Sequence, residues 1–251
     1  QRASKMQMKT MSVTDPKKII GKIEDLPTLP RTVLKITELV NDPKSSAKDL
    51  ARVITDDHVL TARLLKLVNS SFYGFPQRIS TVTGAIVLLG FDAIRSLLLT
   101  TSVFDIFTNK NRKNRHYQEQ FWDHSLGCAV GAKVIGNYLR HDKIEELFVS
   151  GLLHDIGKIV LFTHLPERAS EILAQAADTG LPLHQIEQER LNFTTAELGA
   201  ELLESWNLGE NLWLPIRHQH TPQQANGVET EAWMLYLSIA LTDCVEPELK
   251  S

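Results

Sequence analysis

From Lys17 to Val245, apolar residues recur at steps of three and four, and no stretch alternates apolar and polar with period two. The first spacing lines one face of an α-helix, whereas alternation would line one face of a strand. The chain is therefore expected to be all-α, a multi-helix bundle without a sheet. Val33, Ile36, Leu39 and Val40 form one stripe, and Leu50, Val53 and Ile54 a second. Ser46 with Asp49, and Thr194 with Glu197, have the spacing of capping boxes, in which each side chain serves the other residue's orphan N–H. Residues 70–76 break the pattern as a loop, and Gly90 ends a helix before a long one through Ile94, Leu97, Leu98 and Val103. Further helices are expected over 117–138, 145–153, a short stretch after Asp155, 166–177, 195–206, 212–218 and 232–245. The polar, charge-rich stretch 109–118 is the best internal boundary. It gives a flexible lead-in over 1–15, an N-terminal helical part over 16–110 and a helical core over 111–251.

Composition narrows the function classes. Of 251 residues, 43% are hydrophobic, enough for a sizeable core. The net charge of −3, from 27 basic and 30 acidic residues, gives no broad basic footprint. No aromatic–basic stacking platform is visible either, so nucleic acid is not an expected partner. The one basic run, Lys110, Arg112, Lys113 and Arg115, reads as a solvated loop. Cys128 and Cys244 stand far apart in no metal-site spacing, and both are expected to be small apolar fillers in a reducing cytoplasm. No apolar run approaches the ~20 residues that span a bilayer, and Gln1 to Val13 lack a signal-peptide layout, so no membrane is expected. The absence of an initial Met is consistent with a piece of a longer protein.

The chemistry concentrates at His154-Asp155, within Leu152-Leu153-His154-Asp155-Ile156-Gly157-Lys158. Polar groups beside so apolar a stretch cost several kcal/mol unless something satisfies them. A divalent metal would do so, because imidazole and carboxylate are both ligands. An imidazole bonded to a carboxylate inside a core is the simpler alternative. Neighbouring helix positions diverge by roughly 100°, so one ion takes both side chains only at a helix end or bend, and Gly157 is consistent with such a backbone. His124 lies on the apolar face of Phe121, Cys128, Gly131 and Ile135, and Gly127 and Gly131 suggest a close-packed helix there. Asp243 shares a face with Ala232, Tyr236 and Ile239, and a buried carboxylate needs a cation or several donors.

His124, His154-Asp155 and Asp243 together resemble the H…HD…D pattern of the HD superfamily of metal-dependent phosphohydrolases. The longer frame resembles its HDOD branch: Leu26-Pro27-Thr28-Leu29-Pro30, Asp56-Asp57 leading to Asn69-Ser70, Ile86-Val87-Leu88-Leu89-Gly90, Phe121-Trp122-Asp123-His124-Ser125, and Glu197 through Trp206. The match runs from about Ile20 to Cys244. It implies an HD-like helical bundle and a regulatory domain of bacterial signal transduction. Implied partners are signalling proteins or a nucleotide ligand, with a homo-oligomer also open. HDOD metal sites are frequently eroded; where intact, the ligand set here would be His124, His154, Asp155 and Asp243 around one divalent ion (Mn, Fe, Mg, Ni or Zn). The competing implication is an active metal-dependent phosphohydrolase on a nucleotide or cyclic dinucleotide. There Asp155 would orient a metal-bound water and Lys158 would meet a phosphate oxygen; a solvent-facing Lys158 at a helix start is the plainer reading. Against dinuclear chemistry, Thr195 stands where the related HD-GYP phosphodiesterases have His, Gln219-His220 replaces His-His, and Gly-Tyr-Pro is missing. His220 reads first as a surface loop residue before Pro222 and second as a cleft residue. His218 reads as peripheral, and His184 has no partner pattern.

Overall fold

The computed structural model describes residues 15–21, 23, 29–69, 73–108 and 115–245. Among the described residues the regular structure is entirely helical, as the spacing predicts. The lead-in 1–14, residues 26–28 of the opening motif, Ser70 to Phe72, and Lys110, Arg112 and Lys113 of the basic run lie outside the described residues. The chain divides into two compact units, residues 27–152 and residues 1–26 with 153–251.

The unit 27–152 is built from α1 (Arg31–Asn41), α2 (Ala47–Thr55), α3 (His58–Val68), α4 (Val82–Thr108), α5 (Arg115–Tyr138) and α6 (Ile144–Leu153). The Ser46–Asp49 capping box opens α2, with both reciprocal bonds present. α4 packs on α1, α2 and α3 around the fully buried Ile36, Leu50, Ile54, Leu64, Val68, Ile94 and Leu98. Gly90, at φ +83°, interrupts α4 with a left-handed backbone that other residues rarely adopt. The Asn69 amide fastens the loop after α3. It donates to the carbonyls of Leu65 (2.7 Å) and Ile79 (2.8 Å) and accepts the Ile79 N–H (2.7 Å). A close helix crossing is present at α5, and Gly151 carries it: a Cβ there would meet the Ala129 Cα at 2.6 Å.

The other unit contains α7 (Pro16–Ile20), α8 (Ile156–His164), α9 (Pro166–Thr179), α10 (Leu183–Leu191), α11 (Thr195–Ser205), α12 (Glu210–Arg217), a 3-10 turn (Pro222–Gln224) and α13 (Glu229–Val245). The short α7 starts at an Asp15 cap with Pro16 behind it, both favourable at a helix N-terminus. α11 is the central helix, packed against α7, α8 and α12. Most of its residues are buried, as expected of a helix enclosed by others. The Thr194–Glu197 capping box opens it. α8 crosses α11 at Gly157 and Gly199, where a Cβ on Gly157 would meet the Gly199 nitrogen at 2.6 Å and clash with the Thr195 carbonyl oxygen.

The structure corrects several expectations. α10 carries no clean apolar stripe because Glu187 is buried between Ile186 and Leu191. Gly157 lies inside α8 and is there for the helix crossing, not for an irregular backbone. Cys128 is a buried filler, but Cys244 is exposed. Among the described residues, two helical stretches, Val82–Val103 and Ile144–His164, are long and apolar enough to cross a membrane, which the sequence reading did not expect. Burial explains the second as core, since 72% of it is enclosed; Gly90 breaks the first.

Candidate functional site

His154 and Asp155 form the break between α6 and α8, the bend that the pairing of their side chains requires. Both are buried. His154 Nε2 lies 3.3 Å from Asp155 Oδ2, and Lys158, one turn into α8, donates to the same oxygen at 2.8 Å. Burial pushes the Asp155 carboxyl up, but the charges and hydrogen bonds of His154 and Lys158 outweigh it and hold it well below the usual carboxylate range. Asp155 is thus a buried carboxylate kept ionised. Lys158 is not solvent-facing: its side chain is 13% exposed and committed to Asp155.

Behind this pair lies a polar cluster in the same unit. Glu187 of α10 accepts from the Thr195 N–H (2.8 Å) and the Thr195 hydroxyl (2.9 Å). The carboxylate therefore sits at the N-terminus of α11, where unsatisfied N–H groups and the helix dipole favour a negative charge. Burial still raises its carboxyl above the ordinary value against those bonds and the Lys158 charge. His184 and His220 stack, with ring centroids 4.3 Å apart and planes 12° from parallel. Burial, with His184 next, depresses His220 to about 3, and burial with Lys158 lowers His184. Both rings are therefore neutral acceptors near neutral pH. Gln219 is buried with its amide nitrogen 3.4 Å from His220 Nε2. The surface-loop reading of His220 fails, because the turn after α12 folds it back onto α10.

The sequence candidates thus fall into groups. His154, Asp155 and Lys158 are brought into direct contact. Asp243 belongs to the same unit and is half-buried on α13, at the edge of the buried face rather than in it. That face runs through Ala232, Leu235, Ile239 and Thr242, while Tyr236, expected on the same side as Asp243, is exposed. His124 is buried on α5 in the unit 27–152, with its Nε2 3.6 Å from Cys128 Sγ. Within that unit His124 and Cys128 are a buried imidazole and thiol with the chemistry to hold a metal ion. Sequence reasoning missed Cys128 as such a group, although its four-residue step from His124 was the available signal. It also missed Glu187 and His184, for which an eight-residue spacing to Thr195 and a lone histidine offer no pattern.

The HDOD domain model matches residues 26–222. An uncharacterized protein of Treponema pallidum (strain Nichols) is 27% identical over 220 residues, which are 86% of this chain and 41% of that protein. The chain therefore spans about two fifths of that relative's length. Among solved structures, a protein of Shewanella amazonensis SB2B provisionally described as a phosphohydrolase superposes with a TM-score of 0.77 at 27% identity, covering 94% of this chain and 83% of that one. An HDOD domain protein of unknown function from Geobacter sulfurreducens gives 0.76 at 26% identity, covering 93% and 78%. With most of its length matched by the family model, the chain belongs to the HDOD domain family.

Proposed function

We propose that this chain is a regulatory HDOD module of cytoplasmic bacterial signal transduction that works by binding partner proteins, with any bound divalent ion confined to a single site. The observation that carries this reading is the commitment of Thr195. Its N–H and hydroxyl both go to Glu187, so the position that would hold a second metal in the dinuclear hydrolases is built into the fold. Gln219, at another such position, is a buried amide and a poor ligand beside imidazole.

The remaining residues fit one ion. Asp155 is anionic and buried, and His154 is buried beside it. These two and Asp243 would hold the ion, with His124 as the fourth member of the sequence pattern. Nitrogen and oxygen donors accommodate Mn, Fe, Mg, Ni or Zn. When bound, such an ion supplies a Lewis acid that lowers the pKa of water. Lys158 partly fills the same electrostatic role, because its ammonium already compensates Asp155.

A second reading, a metal-dependent phosphohydrolase acting on a nucleotide or cyclic dinucleotide, is favoured by that ionised Asp155 and by the likeness to the Shewanella protein. In it Asp155 orients the attacking water and Lys158 turns to a phosphate oxygen. Elemental analysis of protein purified without chelator, with turnover assays on a nucleotide and cyclic-dinucleotide panel, separates the two. The regulatory reading expects no turnover with added Mn²⁺, Mg²⁺ or Fe²⁺. Turnover that disappears in both His154→Ala and Asp155→Ala would overturn it.

A further inference from the structure

The last helix, α13, has no charged residue from Ala232 to Thr242. Its inner face, Ala232, Leu235, Ile239 and Thr242, is buried, and the helix packs on α12 and the 3-10 turn. Its outer face is also apolar. Trp233, Tyr236, Leu237 and Leu241 are 40–56% exposed and Val245 is 79% exposed. Trp233 and Tyr236 meet edge to face at 5.6 Å, which fixes two large rings side by side on the surface. A helix that is apolar all round belongs inside an assembly.

We infer that a second copy of this chain covers this face, with the two α13 helices packed antiparallel across a twofold axis. Three features select that occupant. Trp233, Leu237, Leu241 and Val245 follow a step of four, the ridge that interdigitates with an identical ridge in the commonest helix-packing class. A copy of the same helix necessarily presents that ridge, as a self-complementary twofold contact requires. The stripe also tapers: the bulky Trp233 and Tyr236 lie at one end, and the smaller Ala240, Cys244 and Val245 at the other. Antiparallel pairing sets large against small and opposes the helix dipoles, whereas parallel pairing sets Trp233 on Trp233. Finally, the exposed apolar area is on the order of 500 Å² per copy, or about 1,000 Å² for the pair, which reaches the threshold for a specific but modest interface. The inference does not depend on the metal.

The register centres on Leu237 of one copy facing Leu241 of the other, and this makes it testable. Sedimentation equilibrium of the full chain from about 1 to 200 μM should show reversible dimers with a micromolar-range constant. Leu237→Glu and Leu241→Arg should each weaken self-association at least tenfold while leaving the unfolding midpoint unchanged at concentrations where the wild-type chain is monomeric, because both side chains are exposed. Mixing the Leu237→Glu chain with the Leu241→Arg chain should restore dimers. A wild-type chain that stays monomeric throughout, whether its face is bare or covered by another protein, overturns the proposal. Association untouched by Leu237→Glu also overturns it, and a mixture that fails to re-associate overturns the antiparallel register.

Discussion

Replacing Gly157 by Ala tests the account of how α8 is held against α11, and with it what presents Asp155 and Lys158. The added Cβ would lie 2.6 Å from the Gly199 nitrogen and 2.9 Å from the Thr195 carbonyl carbon, closer still to the Thr195 oxygen. Ordinary van der Waals contact begins near 3.4 Å. These neighbours are backbone atoms, so no rotamer change relieves the overlap, and the helices must separate by about an ångström in a close-packed interior. Overpacking of this kind costs about 1–3 kcal/mol, and backbone on both sides places Gly157→Ala at the upper end. The better helix propensity of Ala returns up to about 1 kcal/mol. The net loss is about 2 kcal/mol, or roughly 4–8 °C in Tm for a chain of this size. Thermal unfolding followed by circular dichroism measures it. Gly199→Ala should cost less, since its nearest neighbours, the Gly157 nitrogen and the Ile156 Cγ2 methyl, stand off at 3.0 Å. Gly209→Ala should be neutral, with no atom within 4 Å. A Gly157→Ala protein as stable as Gly209→Ala would refute the crossing as described.

Three further outcomes follow from the same geometry. Asn69→Ala removes three hydrogen bonds around Ile79 and should cost about 2 kcal/mol in urea unfolding; a loss below about 0.5 kcal/mol would mean the loop is held otherwise. Asp155→Asn leaves Lys158 as a poorly compensated charge and should cost about 3 kcal/mol, and adding Lys158→Met should recover part of the loss; a double variant no better than the single would contradict the pairing. His220 titrates at about 3 when folded against 6.5 for the free side chain. The unfolded chain therefore takes up the proton first as pH falls, and stability drops below pH 6.5 by about 2 kcal/mol at pH 5. Urea midpoints against pH should show that slope flattened in His220→Phe, and equal slopes in both proteins would contradict a buried neutral imidazole.

Fold class was legible because a three-and-four spacing that recurs along most of the chain, with no period-two stretch beside it, has a single structural solution. The boxes at Ser46 and Thr194 were legible because capping is local chemistry within four residues. The break at His154-Asp155 was legible from helix geometry, because neighbouring positions diverge by roughly 100° and can turn both side chains to one ion only at a helix end or bend. What stayed hidden depends on residues distant in sequence. His184 gains meaning only when the turn after α12 lays His220 on it, and α10 escapes a periodicity test because its buried position 187 is a glutamate that serves another helix. The rotation of α13 that leaves Asp243 at an edge and Tyr236 outside could not be settled from an apolar helix with two equally plausible inner faces.

One feature of the chain path bears on how the protein is made. α7 precedes the unit 27–152 in sequence but packs on α11, which follows it. α7 must therefore wait until residues 195–205 have been synthesised before it finds its place. Meanwhile the intervening unit, whose own contacts are all in hand, can fold first. A fragment trimmed to begin at residue 26, where the family match starts, would leave the α7-facing surface of α11 bare to solvent. Such a fragment is expected to aggregate more readily than the longer chain, for a reason that no inspection of residues 153–251 alone would reveal.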